Sequence, residues 1–158
     1  MPGHGSDGLE LSSLQDLYQQ VILDHYRRPR NKGPLEGATH TLTLNNPLCG
    51  DVIDLMLRLE GDRIAEVHFE GRGCSISQAS ASMMGSVLEG RTIQESLAVM
   101  DTFTRMLHGD MDAAGDTDLG DLRALAGVAK FPVRVKCATL AWHTLDAAIH
   151  EKKEITTE

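Results

Sequence analysis

The chain is short of cysteine, of aromatic residues and of positive charge, and each shortage narrows the function. One Trp, two Tyr and three Phe among 158 residues supply few rings for stacking on bases. A formal charge of −8 opposes a phosphate backbone, so composition argues against nucleic-acid binding. No apolar run approaches the roughly 20 residues that span a bilayer, and the N-terminus lacks the basic-then-apolar layout of a secretion signal. Nothing matches a Walker loop, a dinucleotide-binding glycine fingerprint or a serine nucleophile elbow. What remains, 41 % hydrophobic and 24 % charged, is the composition of an ordinary globular protein. Its core must be built from Leu, Val, Ile, Ala and Met. The expected organisation is a disordered polar tail over residues 1–11 and a single domain over residues 12–158.

Cysteine is scarce but well placed. The three thiols are Cys49, Cys74 and Cys137, an odd number that fits reduced cysteines in the cytoplasm better than a disulfide framework. A buried structural cysteine sits in an apolar run. Here Cys49 lies in Pro47-Leu48-Cys49-Gly50-Asp51, Cys74 follows Gly71-Arg72-Gly73, and Cys137 follows Arg134-Val135-Lys136. Open backbone, nearby cations and helix starts are the settings that favour a thiolate. With the hard oxygen of Asp51 beside these soft sulfurs, the donor set suits zinc, or iron with bridging sulfide. Against this, separations of 25 and 63 residues match no zinc-finger spacing, and three structural thiols with a turn-capping Asp51 is the competing reading.

Periodicity places the cysteines at element ends. Leu14, Leu17, Tyr18, Val21 and Ile22 mark one helical face, with Ser12 or Ser13 as cap and Arg28-Pro29 as its end. Thr39–Asn45 and Val52–Leu59 alternate as strands. After a Glu60-Gly61-Asp62-Arg63 turn, Ile64–Phe69 alternates again, with Ala65, Val67 and Phe69 on one side. A helix follows Cys74 through to Gly90, and Thr92-Ile93-Gln94-Glu95 opens another through about Leu107. Gly109–Asp118 reads as an acidic surface loop, Leu119–Ala126 as a short helix, and Pro132 as the first position of a last helix. On that helix Cys137, Leu140, Ala141, Leu145, Ala148 and Ile149 form one face. The fold class is α+β: a three-stranded antiparallel sheet packed with about five helices.

Three other features have bland readings. The basic run from His25 to Lys32 complements a helix C-terminus, and it could also dock an acidic partner. Asp110, Asp112, Asp116, Asp118 and Asp121 match parts of a calcium loop, but Ala114 occupies a ligand position and no terminal Glu follows, which favours a solvated loop. None of the seven histidines is assigned to the metal.

Taken together, Ile22-Leu23-Asp24-His25-Tyr26 with Pro29-Arg30-Asn31, Asn46-Pro47-Leu48-Cys49-Gly50-Asp51, Gly71-Arg72-Gly73-Cys74-Ser75-Ile76-Ser77 and Val135-Lys136-Cys137-Ala138-Thr139-Leu140-Ala141-Trp142 resemble the IscU/SufU/NifU-N family of iron–sulfur cluster assembly proteins. The resemblance runs from about Leu14 to Ile149. It implies that Cys49, Asp51, Cys74 and Cys137 form the metal or cluster site. IscU proteins carry a histidine directly before the last cysteine and a Leu-Pro-Pro-Val-Lys chaperone motif. This chain has Lys136 and Lys130-Phe131-Pro132-Val133-Arg134, while its acidic 109–118 segment looks like the SufU insertion. The SufU type implies a zinc-bound acceptor of persulfide sulfur from a SufS-type cysteine desulfurase, a sulfurtransferase-like activator rather than a stand-alone enzyme. Cys49 is then the acceptor and Arg134 orients the partner or steadies the released thiolate. The chain would be a monomer or weak dimer that serves downstream Suf proteins. Two alternatives stay open: a scaffold for a transient [2Fe–2S] cluster, with Cys137 as first acceptor, and a structural zinc-binding interaction domain.

Overall fold

A computed structural model describes residues 18–46 and 50–150. The expected tail and first helical turns, and Cys49 itself, lie outside the described residues. Helix α1 covers residues 18–27 and ends before Arg28-Pro29, because the residue preceding a proline is pushed out of the helical region. Strands β1 (His40–Asn46), β2 (Asp51–Glu60) and β3 (Arg63–Arg72) form an antiparallel sheet in the order β1-β2-β3. Leu44 pairs with Ile53, Leu55 with Phe69 and Leu57 with Val67. Period-two alternation therefore turns Leu44, Ile53, Leu55, Leu57, Val67 and Phe69 to the buried face.

One strand departs from the expected pattern. Ile64, not Ala65, joins Val67 and Phe69 in the core. The register shifts between Arg58 and Leu59, which pair with Glu66 and Ile64 and leave Ala65 as an extra residue. A bulge of this kind moves the upstream residues to the other face.

Helices cover the inner face: α2 (Ser75–Leu88), α3 (Ile93–Leu107), α4 (Met111–Ala114), a 3₁₀ segment (Thr117–Lys130) broken at Gly120, and α5 (Pro132–Ile149). Helix α3 starts on the expected capping box, with Thr92 Oγ1 accepting from the Glu95 N–H and Glu95 Oε1 from the Thr92 N–H. The acidic stretch is not a bare loop. Asp110 accepts from the N–H groups of Asp112 and Ala113 to start α4, and Asp116 accepts from the Asp118 N–H to start the 3₁₀ segment. Nor does α5 bury a single stripe. Ala138, Thr139, Trp142, Thr144 and Ala147 are buried along with Leu140, Ala141 and Leu145, because α5 is packed between the sheet, α2 and the 3₁₀ segment. Trp142 donates to Ser80 Oγ at 3.1 Å and lies 5.0 Å from the Phe103 ring, locking α5 to α2 and α3.

In the basic run from His25 to Lys32 only His25 is buried; Arg27, Arg28, Arg30 and Lys32 are exposed. Arg28 and Arg30 pair with Asp24, and Lys32 lies over the Phe69 ring within reach of Gln78. His25 is buried, with Nδ1 2.8 Å from Ser82 Oγ and Nε2 2.8 Å from Asp121 Oδ2. A carboxylate only accepts, so Nε2 carries the proton. Ser82 Oγ accepts from the Arg30 N–H and can turn its own proton toward Nδ1. That chain of bonds fastens α1 to α2 and to the 3₁₀ segment.

Candidate metal centre

Three of the four expected ligands converge. Asp51 opens β2, Cys74 is the N-cap of α2, and Cys137 stands in the second turn of α5, one turn further in than its position after Pro132 suggested. One carboxylate oxygen and the two Sγ atoms lie within 4.8 Å of one another. Asp51 is fully buried and Cys137 almost so, while Cys74 is partly exposed. The fourth expected ligand, Cys49, falls outside the described residues. Gly50, between it and Asp51, takes a φ of +72°, a left-handed conformation glycine adopts without strain.

The sequence around Cys74 explains the convergence. Gly71 is the penultimate residue of β3, and Gly73 stands between the strand and Cys74. A Cβ on Gly73 would overlap Asp51 Oδ1 and Ser77 Oγ, and one on Gly71 would overlap the Val52 carbonyl. Glycine at both positions lets the end of β3 settle onto the start of β2. The Cys74 N–H thereby reaches Asp51 Oδ1 at 3.0 Å. This close approach was not foreseen from the sequence, although two glycines flanking one residue beside a cysteine are a signal for it.

Among the described residues Asp51 Oδ2 finds no hydrogen-bond partner. A desolvated carboxylate oxygen without a partner is costly, and this carboxylate lies beside two thiols. A cation bound among the three resolves the cost. Sulfur with a carboxylate oxygen suits Zn²⁺ or iron rather than Mg²⁺ or Ca²⁺, which want oxygen alone.

Arg134 is not part of this cluster. It is exposed near the start of α5 and lines a cleft of about 600 Å³ with Tyr18, Ile22, Ile76, Val128 and Phe131. The wall formed by Ser75 and Ile76 directly follows Cys74, so the cleft adjoins the centre. Its rim is apolar, with Phe131 59 % and neighbouring Val133 60 % exposed. Of the carboxylates expected to be solvated or calcium-like, Asp110 and Asp116 cap helix starts and Asp121 accepts from His25, while Asp112 and Asp118 are exposed. No helix among the described residues is long and apolar enough to cross a membrane.

Comparison with known proteins yields a consistent set. The family model described as "NifU-like N terminal domain" matches residues 17–158. The chain is 46 % identical over 142 residues to the zinc-dependent sulfurtransferase SufU of Bacillus subtilis, covering 90 % of this chain and 95 % of that protein. It is also 46 % identical over 141 residues to the iron–sulfur cluster assembly scaffold protein IscU of Streptococcus pyogenes, covering 89 % and 87 %. A crystal structure of a SufU scaffold protein from Fervidobacterium islandicum superposes with a TM-score of 0.73 at 34 % identity, covering 82 % of this chain and 94 % of that one.

Proposed function

The chain belongs to the NifU-like N-terminal domain family, and from that premise we propose that it is a zinc-bound sulfur acceptor in iron–sulfur cluster assembly, served by a cysteine desulfurase of the SufS type. Residues 12–158 form the one domain that does this. The observation that carries the reading is the unpartnered, buried Asp51 Oδ2 set against the thiols of Cys74 and Cys137. Cys49, Asp51, Cys74 and Cys137 hold the metal. When bound, zinc keeps the thiolates deprotonated at neutral pH without redox chemistry of its own. Cys49, next to Gly50, accepts the sulfur. Its thiolate attacks the outer sulfur of the desulfurase persulfide, a new S–S bond forms, the old one breaks, and the desulfurase cysteine leaves as thiolate. Asp51 is held in place by the Cys74 N–H throughout. Arg134 presents a cation at the cleft beside Cys74, where it orients the partner or steadies the departing thiolate.

A second reading is a scaffold on which a [2Fe–2S] cluster is assembled and released, favoured by the equal identity to the Streptococcus pyogenes protein. Mass spectrometry of the chain after incubation with desulfurase and cysteine separates the two. Persulfide on Cys49, with a rise in desulfurase turnover that Cys49→Ala and Arg134→Ala abolish, is the expected result. Persulfide on Cys137 with Cys49 unmodified replaces it with the scaffold. No transfer and no change in turnover leaves a structural zinc domain.

A further inference from the structure

A second group of side chains able to ligate a metal lies at the middle of β3, away from Cys74. Glu66 and His68 project from that strand, and Glu89 follows the last residue of α2. One atom from each lies within 4.8 Å of the other two. Six residues of nearly extended chain, about 20 Å at 3.3 Å per residue, separate His68 from Cys74, so this group is not part of the thiolate centre.

Each of the three is anchored by one polar atom to the protein outside the group. His68 Nδ1 is 3.1 Å from the Pro34 carbonyl, which only accepts. The proton of that bond therefore sits on Nδ1, and Nε2, 3.3 Å from Glu66 Oε2, is the nitrogen that faces the group. Glu66 Oε1 accepts from Arg58 at 2.6 Å, and this bond holds its carboxyl below the usual carboxylate range. Glu66 is thus an anion at neutral pH, with Oε2 turned to the imidazole. Glu89 Oε2 accepts from the Val67 N–H on the outer edge of the sheet at 3.1 Å. An imidazole donating its far N–H to a carbonyl, beside carboxylates steadied by other donors, is the outer-shell pattern that orients metal ligands. Arg58 is shared between Glu66 and Glu60, so the excess negative charge of Glu66 and Glu89 remains.

We propose that Glu66, His68 and Glu89 form a second, thiolate-free site for a borderline divalent cation such as Zn²⁺ or Fe²⁺. One nitrogen and two carboxylates suit such ions better than Ca²⁺, and the half-exposed position leaves room for water in the remaining coordination positions. A cation there ties the end of α2 to the edge of β3 and, through Pro34, to the segment that runs along that edge.

Cobalt(II) tests this, because a thiolate ligand gives it an intense charge-transfer absorption that nitrogen and oxygen ligands do not. The full chain, its thiolate centre filled beforehand with Zn²⁺, is titrated with Co²⁺. The expected result is one further equivalent bound without charge-transfer absorption. His68→Ala and Glu89→Gln, made separately, each weaken it about tenfold or more, while His4→Ala leaves it unchanged. Both side chains are partly exposed, and circular dichroism checks that the variants stay folded. The proposal is overturned if no second equivalent binds, if it binds with thiolate absorption, or if His4→Ala rather than His68→Ala removes it.

Discussion

Asp51 and the stretch from Asp110 to Asp121 both present carboxylates, and they behave in opposite ways. The stretch has the greater negative charge, but its carboxylates have work within the fold. Asp110 and Asp116 accept backbone N–H groups at helix starts, and Asp121 accepts the His25 ring proton. Asp51 stands alone, fully buried, with one oxygen on the Cys74 N–H and the other without a partner among the described residues. A count of acidic residues points to the stretch; desolvation points to Asp51. A carboxylate becomes a candidate ligand when its surroundings leave it unsatisfied, because a cation is then the cheapest remaining partner.

Removing the metal is the strongest way to break that contrast. A ligand present at a hundred times its Kd stabilises the folded state by about 2.7 kcal/mol. For a chain of this size that corresponds to a fall in Tm on the order of 10 °C on chelation. The core of Leu, Met, Phe103 and Trp142 does not depend on the centre, so the stripped protein should still melt cooperatively. Cys74→Ala and Cys137→Ala should show the lower melt with or without added zinc. An identical melt before and after chelation would falsify a metal at Asp51, Cys74 and Cys137.

Asp51→Ala sharpens the contrast, because its effect should depend on whether metal is bound. With metal, a ligand is lost, and affinity should fall roughly tenfold or more in competition with a chelator. Without metal, the lost acceptor for the Cys74 N–H is offset by removal of a desolvated charge, so stability should change by less than about 1 kcal/mol. If affinity is untouched, Asp51 serves only to cap Cys74, and the two acidic regions are alike after all.

The same distinction explains what the sequence could reveal. Three strands, the Thr92–Glu95 capping box and the approach of Cys74 to a helix start were legible because each depends on residues a few positions apart. Period-two alternation failed at Ala65, where the bulge depends on pairing across to Arg58 and Leu59. The single apolar face expected for α5 failed because a helix enclosed on several sides buries Ala and Thr as well as Leu. The Asp51–Cys74 pair was read as shared ligands, but the hydrogen bond between them rests on backbone closeness that only Gly71 and Gly73 permit. His25 and His68 were passed over, since their partners Asp121, Ser82, Pro34 and Glu89 lie 21 to 96 residues away. Contacts at that range leave no local pattern.

The link between the acidic stretch and the rest of the fold gives the next effect in size. His25→Ala removes a buried ring and two hydrogen bonds, and should cost about 2–4 kcal/mol in denaturant unfolding. Asp121→Ala removes only the outer partner, whose side chain is 57 % exposed. Water can take its place, so the cost should be about 1 kcal/mol or less. Equal costs would mean that the stretch is braced by Asp121 itself rather than fastened through the buried imidazole.

The smallest effect belongs to Asp110 and concerns acid and calcium. The N–H groups of Ala113 and Asp112, with Arg105 beside them, hold its carboxyl below the usual carboxylate range. A carboxyl whose folded pKa is depressed contributes stability that is present above its unfolded value and is lost as pH falls through the folded one. Asparagine caps a helix as well as aspartate does but does not titrate. Asp110→Asn should therefore melt with the wild type at neutral pH and hold its melting temperature slightly better below about pH 4. Because the carboxyl is partly exposed to solvent, the difference should shrink further in high salt. Calcium should leave both melts unchanged, since Asp110 is already engaged by the backbone it caps. A calcium-dependent rise in the wild type that Asp110→Asn abolishes would show that the stretch binds a cation, and burial would then no longer be what separates it from Asp51.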